Sequence, residues 1–321
     1  MRSIPGLSPR AVGLAAAVVT VVIWTSFIVI ARASAQRTLN PFDLAFCRIV
    51  GASLILAPWG WWLVRSGRLQ GWLGLSPLPW RITAWTGLFG GLLYAMLAYS
   101  GFFYAPAAHA SVLMPGSLPL WTALLAAVIL RDRITPARAA GLSFIVAGDL
   151  LVGGNSLMQA FAGGDVWKGD LLFMSAAFCW SVYSVLARRH GLDAVHATIA
   201  ITVFALCAYV PAYALLALAG AVPSKLAAAP LGEVAFQIVF QGWGSVVISG
   251  ITFTMMIQHF GPVRSTMITA LVPGLSALGA VAFLGEPLHW NLLAGLVLVT
   301  AGILFGVRGA SRPVAAKEVT A

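Results

Sequence analysis

Gln237, Gln241, Ser245, Ser249, Thr252, Met256 and His259 recur at steps of three and four inside an otherwise apolar stretch. That spacing puts them on one face of a helix. Lipid offers amides and hydroxyls no partners, so such a face must meet water or other protein groups. Interhelical hydrogen bonding accounts for some of it, but two amides and three hydroxyls exceed what packing requires. The stripe is expected to line a cavity, with Gln241, Ser245 and Thr252 contacting a solute. A second stripe, Thr86, Gly90, Tyr94, Leu97, Gly101 and Tyr104, adds Tyr94, whose ring can stack and whose hydroxyl can hydrogen-bond. Tyr99 lies roughly a quarter turn or more off this face and joins it as a candidate. Trp24 and Trp180, near the middles of their apolar stretches, suggest opposite walls of an aromatic chamber, with Tyr183 beside them.

Two prolines inside apolar stretches, Pro115 and Pro273, each remove a helical hydrogen bond and free a carbonyl. Ser111 and Thr269, four residues earlier, can compensate or meet substrate, and the prolines suit hinges. Arg48 is the one basic residue deep in a span, and Asp43 is a poor partner for it by helical phase. Capping of neighbouring carbonyls, outward snorkelling or a substrate carboxylate are open to it. Asp132 and Glu286 precede helices and are read as favouring positive helix ends. His109 and His259, near helix ends, are given interfacial roles. There is no P-loop, no metal-spaced His/Asp/Cys cluster and no paired carboxylates, so neither cofactor, metal nor catalytic residues are expected. The cysteines Cys47, Cys179 and Cys207 lie in apolar stretches and read as inert thiols.

The elements that hold these residues follow from composition. Of 321 residues, 60% are hydrophobic and 9% charged, too few charges for the surface of a soluble enzyme. Apolar runs at about 11–31, 42–64, 82–104, 109–130, 137–154, 169–187, 195–219, 233–258, 263–284 and 289–307 predict an all-α membrane protein of ten transmembrane helices. The first run is long for a cleavable signal and is taken as a retained helix. Of the 19 Lys and Arg, 14 fall on the face of the N-terminus and four on the other, with Arg48 inside span two. That asymmetry predicts a multi-pass protein with both termini cytoplasmic. The basic residues form no stripe, so the net charge of +10 implies no nucleic-acid partner.

The chain repeats itself. Trp24-Thr25-Ser26-Phe27 through Arg32 parallels Trp180-Ser181-Val182-Tyr183 through Arg188, Met114-Pro115-Gly116 parallels Val272-Pro273-Gly274, and Asp132, Gly141 and Gly148 match Glu286, Gly295 and Gly302. Each half holds five spans, an odd number, so the halves are expected to insert with opposite orientation. The first repeat is assigned to 1–155, the second to 156–308, and 309–321 to a disordered cytoplasmic tail.

These repeats, Pro41 with Arg48, and the Leu-Gly-Glu-Pro stretch at 284–287 followed by Gly295 and Gly302 resemble the EamA-type branch of the drug/metabolite transporter superfamily. The resemblance implies that helices one, three, four, six, eight and nine line a central cavity while five and ten pack peripherally. It also implies export of small metabolites. It places span two outside the cavity-lining core, which implies a structural or gating role for Arg48, a residue that departs from the repeat because span seven offers no basic counterpart. We therefore expect an inner-membrane exporter of small amphipathic metabolites, neutral or aromatic amino acids foremost, working as a monomer by alternating access. Another solute class, drug-like or nucleotide-related, is the alternative, and a membrane-embedded enzyme a more distant one.

Overall fold

A computed structural model describes residues 9–67 and 71–308, with side chains at 9, 257, 258, 261–267, 307 and 308 left aside. The tail expected at 309–321 lies outside the described residues. Ten helices, α1 to α10, follow one another. They are α1 Pro9–Ser34, α2 Pro41–Arg65, α3 Trp80–Tyr104, α4 Ala107–Ile129, α5 Pro136–Ala160, α6 Val166–Arg189 and α7 Ala194–Leu218, then α8 over 231–269, α9 Leu271–Leu284 and α10 Trp290–Arg308. Eight of them contain stretches long and apolar enough to cross a membrane; the apolar parts of α9 and α10, Leu271–Leu284 and Trp290–Gly306, are shorter. The boundary between the eighth and ninth spans differs from the sequence reading. Helical winding continues through 249–269 and is interrupted at Ala270. Pro273 has no N–H for the Thr269 carbonyl, so the break falls there, and α9 is left about 21 Å long.

Local sequence explains several boundaries. Asn40 caps α2, its side chain accepting from the Asp43 N–H while Asp43 accepts from the Asn40 N–H, with Pro41 in the first turn. Asp193 caps α7 and Thr135 caps α5. The Leu-Gly-Glu-Pro stretch ends α9. Gly285 takes the left-handed conformation (φ 65°), and the N–H groups of Gly285 and Glu286 return to the carbonyls of Val281 and Ala280. The same closure ends α4, where Arg131 takes φ 59° and the Asp132 N–H reaches the Ala126 carbonyl. Asp132 and Glu286 therefore do not cap the helices that follow them: the turn presents each of them sideways, Asp132 to α6 and Glu286 to α1 and the first N–H of α4.

Helix packing depends on close backbone approach at small residues. α5 and α10 pair antiparallel, Gly141 against Gly302 and Gly148 against Gly295, close enough that a Cβ on any of them would fall within about 3 Å of the partner's backbone or side chain. α2 crosses α8 at Gly51 and Gly242, where Gly51 also accepts from the Trp243 indole at 3.0 Å. Gly87 and Gly91 of α3 receive Phe204 and Ile201 of α7. Three helices carry wide, π-type winding among the described residues: α3 at Leu88–Leu93, α4 at Val112–Gly116 around Pro115, and α8 at Ile238–Ile248.

Candidate functional site

Between the helices lies a cavity of about 690 Å³, within the size range of small-molecule sites. α1, α2, α3, α4, α6, α7, α8 and α9 contribute to its wall, and α5 and α10 do not. The resemblance implied six lining helices; α2 and α7 join them because the glycine contacts draw α2 onto α8 and α7 onto α3.

Its walls are aromatic. Trp24 sits with its ring centroid 5.0 Å from that of Phe253, and Tyr94, Trp180 and Tyr183 form a continuous group at 4.9 and 5.2 Å. Gly90 leaves the room that the Tyr183 ring occupies. Among the described residues the polar side chains on this wall are Arg48, Ser184, Thr198, Thr202, Ser245, Ser249 and Thr254, with Arg188 and Asp193 toward one end. Arg48 donates from Nη1 to Ser245 Oγ at 2.9 Å, and its guanidinium lies 5.6 Å from the Phe27 ring centroid.

Of the residues selected from sequence, Trp24, Tyr94, Trp180, Tyr183, Ser245, Arg48 and Pro115 stand on the cavity wall. Tyr99, Ser111, Gln241, Thr252, Thr269 and Pro273 stand outside it. Tyr99 and Gln241 are fully buried and bonded to each other at 3.0 Å. Thr252 pairs with Thr20 of α1 at 2.9 Å, Gln237 with Ser34 at 2.8 Å, and Ser111 with Ser276 of α9 at 2.8 Å. The stripe on α8 thus divides between cavity and interhelical bonds. It was laid out at 3.6 residues per turn, and the wider winding of 238–248 rotates Gln241 away from Ser245. His109 departs from its expected interfacial role. It is buried, with Nδ1 2.8 Å from Asp170, which Ser156 also contacts.

The sequence reading missed the ion pairs at the two ends of the bundle. At one end Arg32, the last basic residue of α1, donates to Glu286 at 2.8 Å and to the Phe102 carbonyl, while Glu286 also accepts from the Ala107 N–H at 2.8 Å. At the other, Arg188 of α6 donates to Asp132 at 2.7 Å. α4 begins at the first pair and ends at the second, so the pairs mark opposite ends of the bundle. The Arg32–Glu286 side chains are 19% and 11% exposed, the Arg188–Asp132 side chains 63% and 27%. The cavity reaches the Arg188 end, where Gly191, Leu192 and Asp193 form its mouth. Both arginines and both acids belong to the matched repeat stretches, a signal from which the pairs were recoverable.

A large aromatic cavity inside a bundle of apolar helices, open at one end, defines a membrane transport protein. The chain belongs to the EamA-like transporter family, which matches residues 11–154 and 167–308. It is 30% identical over 301 residues, 90% of this chain and 91% of the relative, to a protein of Streptantibioticus cattleyicolor named "Probable terminal-alkyne amino-acid exporter". It is also 34% identical over 134 residues to the "Aromatic amino acid exporter YddG" of Ancylobacter novellus, 39% of this chain and 44% of that one. A solved crystal structure shares the fold with a TM-score of 0.60 at 22% identity, covering 94% of this chain and 99% of the other. The protein is therefore a multi-pass membrane transporter with the two-repeat architecture of its family.

Proposed function

We propose that this chain exports small amphipathic metabolites, neutral and aromatic amino acids first among them, across the inner membrane by alternating access. The observation that carries the reading is the aromatic cavity, open at the Arg188 end and closed at the Arg32 end. In this scheme ten spans form two five-helix halves of opposite orientation, with both termini and the Arg188 end cytoplasmic. Contacts between matched residues support the inversion. Gly141 meets Gly302 while their repeat counterparts Gly295 and Gly148 meet each other, on helices that run antiparallel. Arg32 of the first half pairs with Glu286 of the second, and Arg188 of the second with Asp132 of the first. Such reciprocal contacts are what a two-fold axis perpendicular to the helices generates.

Substrate enters at the Arg188 end and lodges among Trp24, Tyr94, Trp180 and Tyr183, with Ser245 as a polar contact. Tyr99, Ser111, Gln241, Thr252 and Thr269 brace the wall from behind. The halves then rock: Arg32 parts from Glu286, and Arg188–Asp132 closes over the other mouth. Breaks near Pro115 and Pro273 let the lining helices bend. Movement follows the substrate gradient, and one chain suffices because it carries both halves.

The test is flux of labelled L-phenylalanine and L-alanine from proteoliposomes. The wild type is expected to give saturable efflux, and Trp180→Ala to raise the KM for phenylalanine about tenfold, the loss of ~1.4 kcal/mol of ring contact. Absence of flux for every neutral amino acid overturns the proposal.

A further inference from the structure

Arg48 is a cation on the cavity wall for which the described residues supply no anion. Six carboxylates of the described residues are engaged elsewhere. Asp43 is bonded to Asn40, Tyr213 and the Lys225 N–H, Asp132 to Arg188, Asp165 to Lys168, Asp170 to His109, Asp193 to the start of α7, and Glu286 to Arg32. Glu233 accepts from the Leu39 N–H, and Asp149 is buried in α5, which does not reach the cavity. The described neighbours of Arg48 are all neutral: Ser245 Oγ, the Phe27 ring, and the nearby hydroxyls of Tyr94 and Tyr99. A guanidinium has five N–H donors in a planar fork that matches a carboxylate. An uncompensated charge at this depth is costly. Its position is also constrained. Gly51 and Gly242 hold α2 and α8 in contact, and Arg48, three residues before Gly51, reaches Ser245, three residues after Gly242.

On the export reading above, we propose that Arg48 with Ser245 is the carboxylate anchor of the substrate site and that the substrates are organic monocarboxylates with an apolar or aromatic tail. The tail lies against Tyr94, Trp180 and Tyr183. Among the described wall residues the one acid is Asp193, at the mouth, so nothing at the level of Arg48 demands an ammonium group. The site selects for the carboxylate and tolerates loss of the amine. It rejects solutes that carry only the amine, because Arg48 repels them.

The experiment is competition against counterflow of labelled L-phenylalanine in proteoliposomes, using unlabelled 3-phenylpropionate and L-phenylalaninamide. In the wild type 3-phenylpropionate is expected to compete within about threefold of phenylalanine, and the amide at least tenfold more weakly. Arg48→Gln is expected to raise the phenylalanine KM tenfold or more and to erase the difference between acid and amide. Arg48→Lys, which keeps the charge, is expected to retain the difference. Equal competition by acid and amide in the wild type, or an Arg48→Gln protein that keeps the difference, overturns the anchor. If the wild type moves no phenylalanine, the counterflow has no signal, and the export reading itself fails only when no neutral amino acid moves. The anchor is then judged by thermal stabilisation with the same three compounds: stabilisation by both acids and not the amide, lost in Arg48→Gln, upholds it, and any other pattern overturns it.

Discussion

The two ends of the bundle are built from the same parts and hold them differently. Each has an arginine at the end of a long helix and an acid delivered by a left-handed turn after a lining helix. At the Arg32 end the acid is shared between a guanidinium and the Ala107 backbone, the arginine reaches a second acceptor at Phe102, and both side chains are mostly covered. At the Arg188 end the pair is solvated and the cavity opens beside it. The difference teaches that one motif serves as a seal or as a surface contact according to how much protein surrounds it, which is what a device closing at alternate ends requires.

Neutralising the two acids gives the largest contrast. Glu286→Gln leaves Arg32 covered without its counter-ion and is expected to destabilise the protein by about 3 kcal/mol or more. Asp132→Asn removes an exposed pair and is expected to cost about 1 kcal/mol or less. Thermal denaturation of the purified protein in detergent checks both, and equal losses would remove the distinction between the ends. A smaller contrast lies in the turns themselves. Gly285 adopts its left-handed conformation freely, whereas Arg131 does so against the crowding of its Cβ. Gly285→Ala is expected to destabilise by ~1 kcal/mol, and Arg131→Gly to stabilise by about the same amount, read as shifts of opposite sign in the melting temperature.

Much of this was legible in the sequence because apolar length and repetition are properties of single residues summed along the chain. The aromatic walls followed from Trp24 and Trp180 occupying matched places, and the matched glycines Gly141, Gly148, Gly295 and Gly302 named the residues at which α5 and α10 meet without saying that these two helices meet each other. The cavity face of α8 was less legible. Its polar stripe assumes uniform winding, and the π-type stretch Ile238–Ile248 sends Gln241 toward Tyr99 while Ser245 keeps the cavity. The cavity position of Arg48 was not legible for a related reason: it depends on how closely α2 approaches α8 at Gly51 and Gly242, a tertiary contact that no spacing along α2 reveals. The end pairs were overlooked because Asp132 and Glu286 were read within their own helices, although their partners repeat at nearly the same offset.

The central claim is a chamber reached from the Arg188 end and closed at the Arg32 end. Thr198 lines that chamber, so a cysteine placed there in a background lacking Cys47, Cys179 and Cys207 reports on it directly. With a membrane-impermeant maleimide and no substrate, Thr198→Cys should react when the reagent is on the cytoplasmic side and stay unreacted when it is outside; reaction only from outside, or from neither side, would contradict the account.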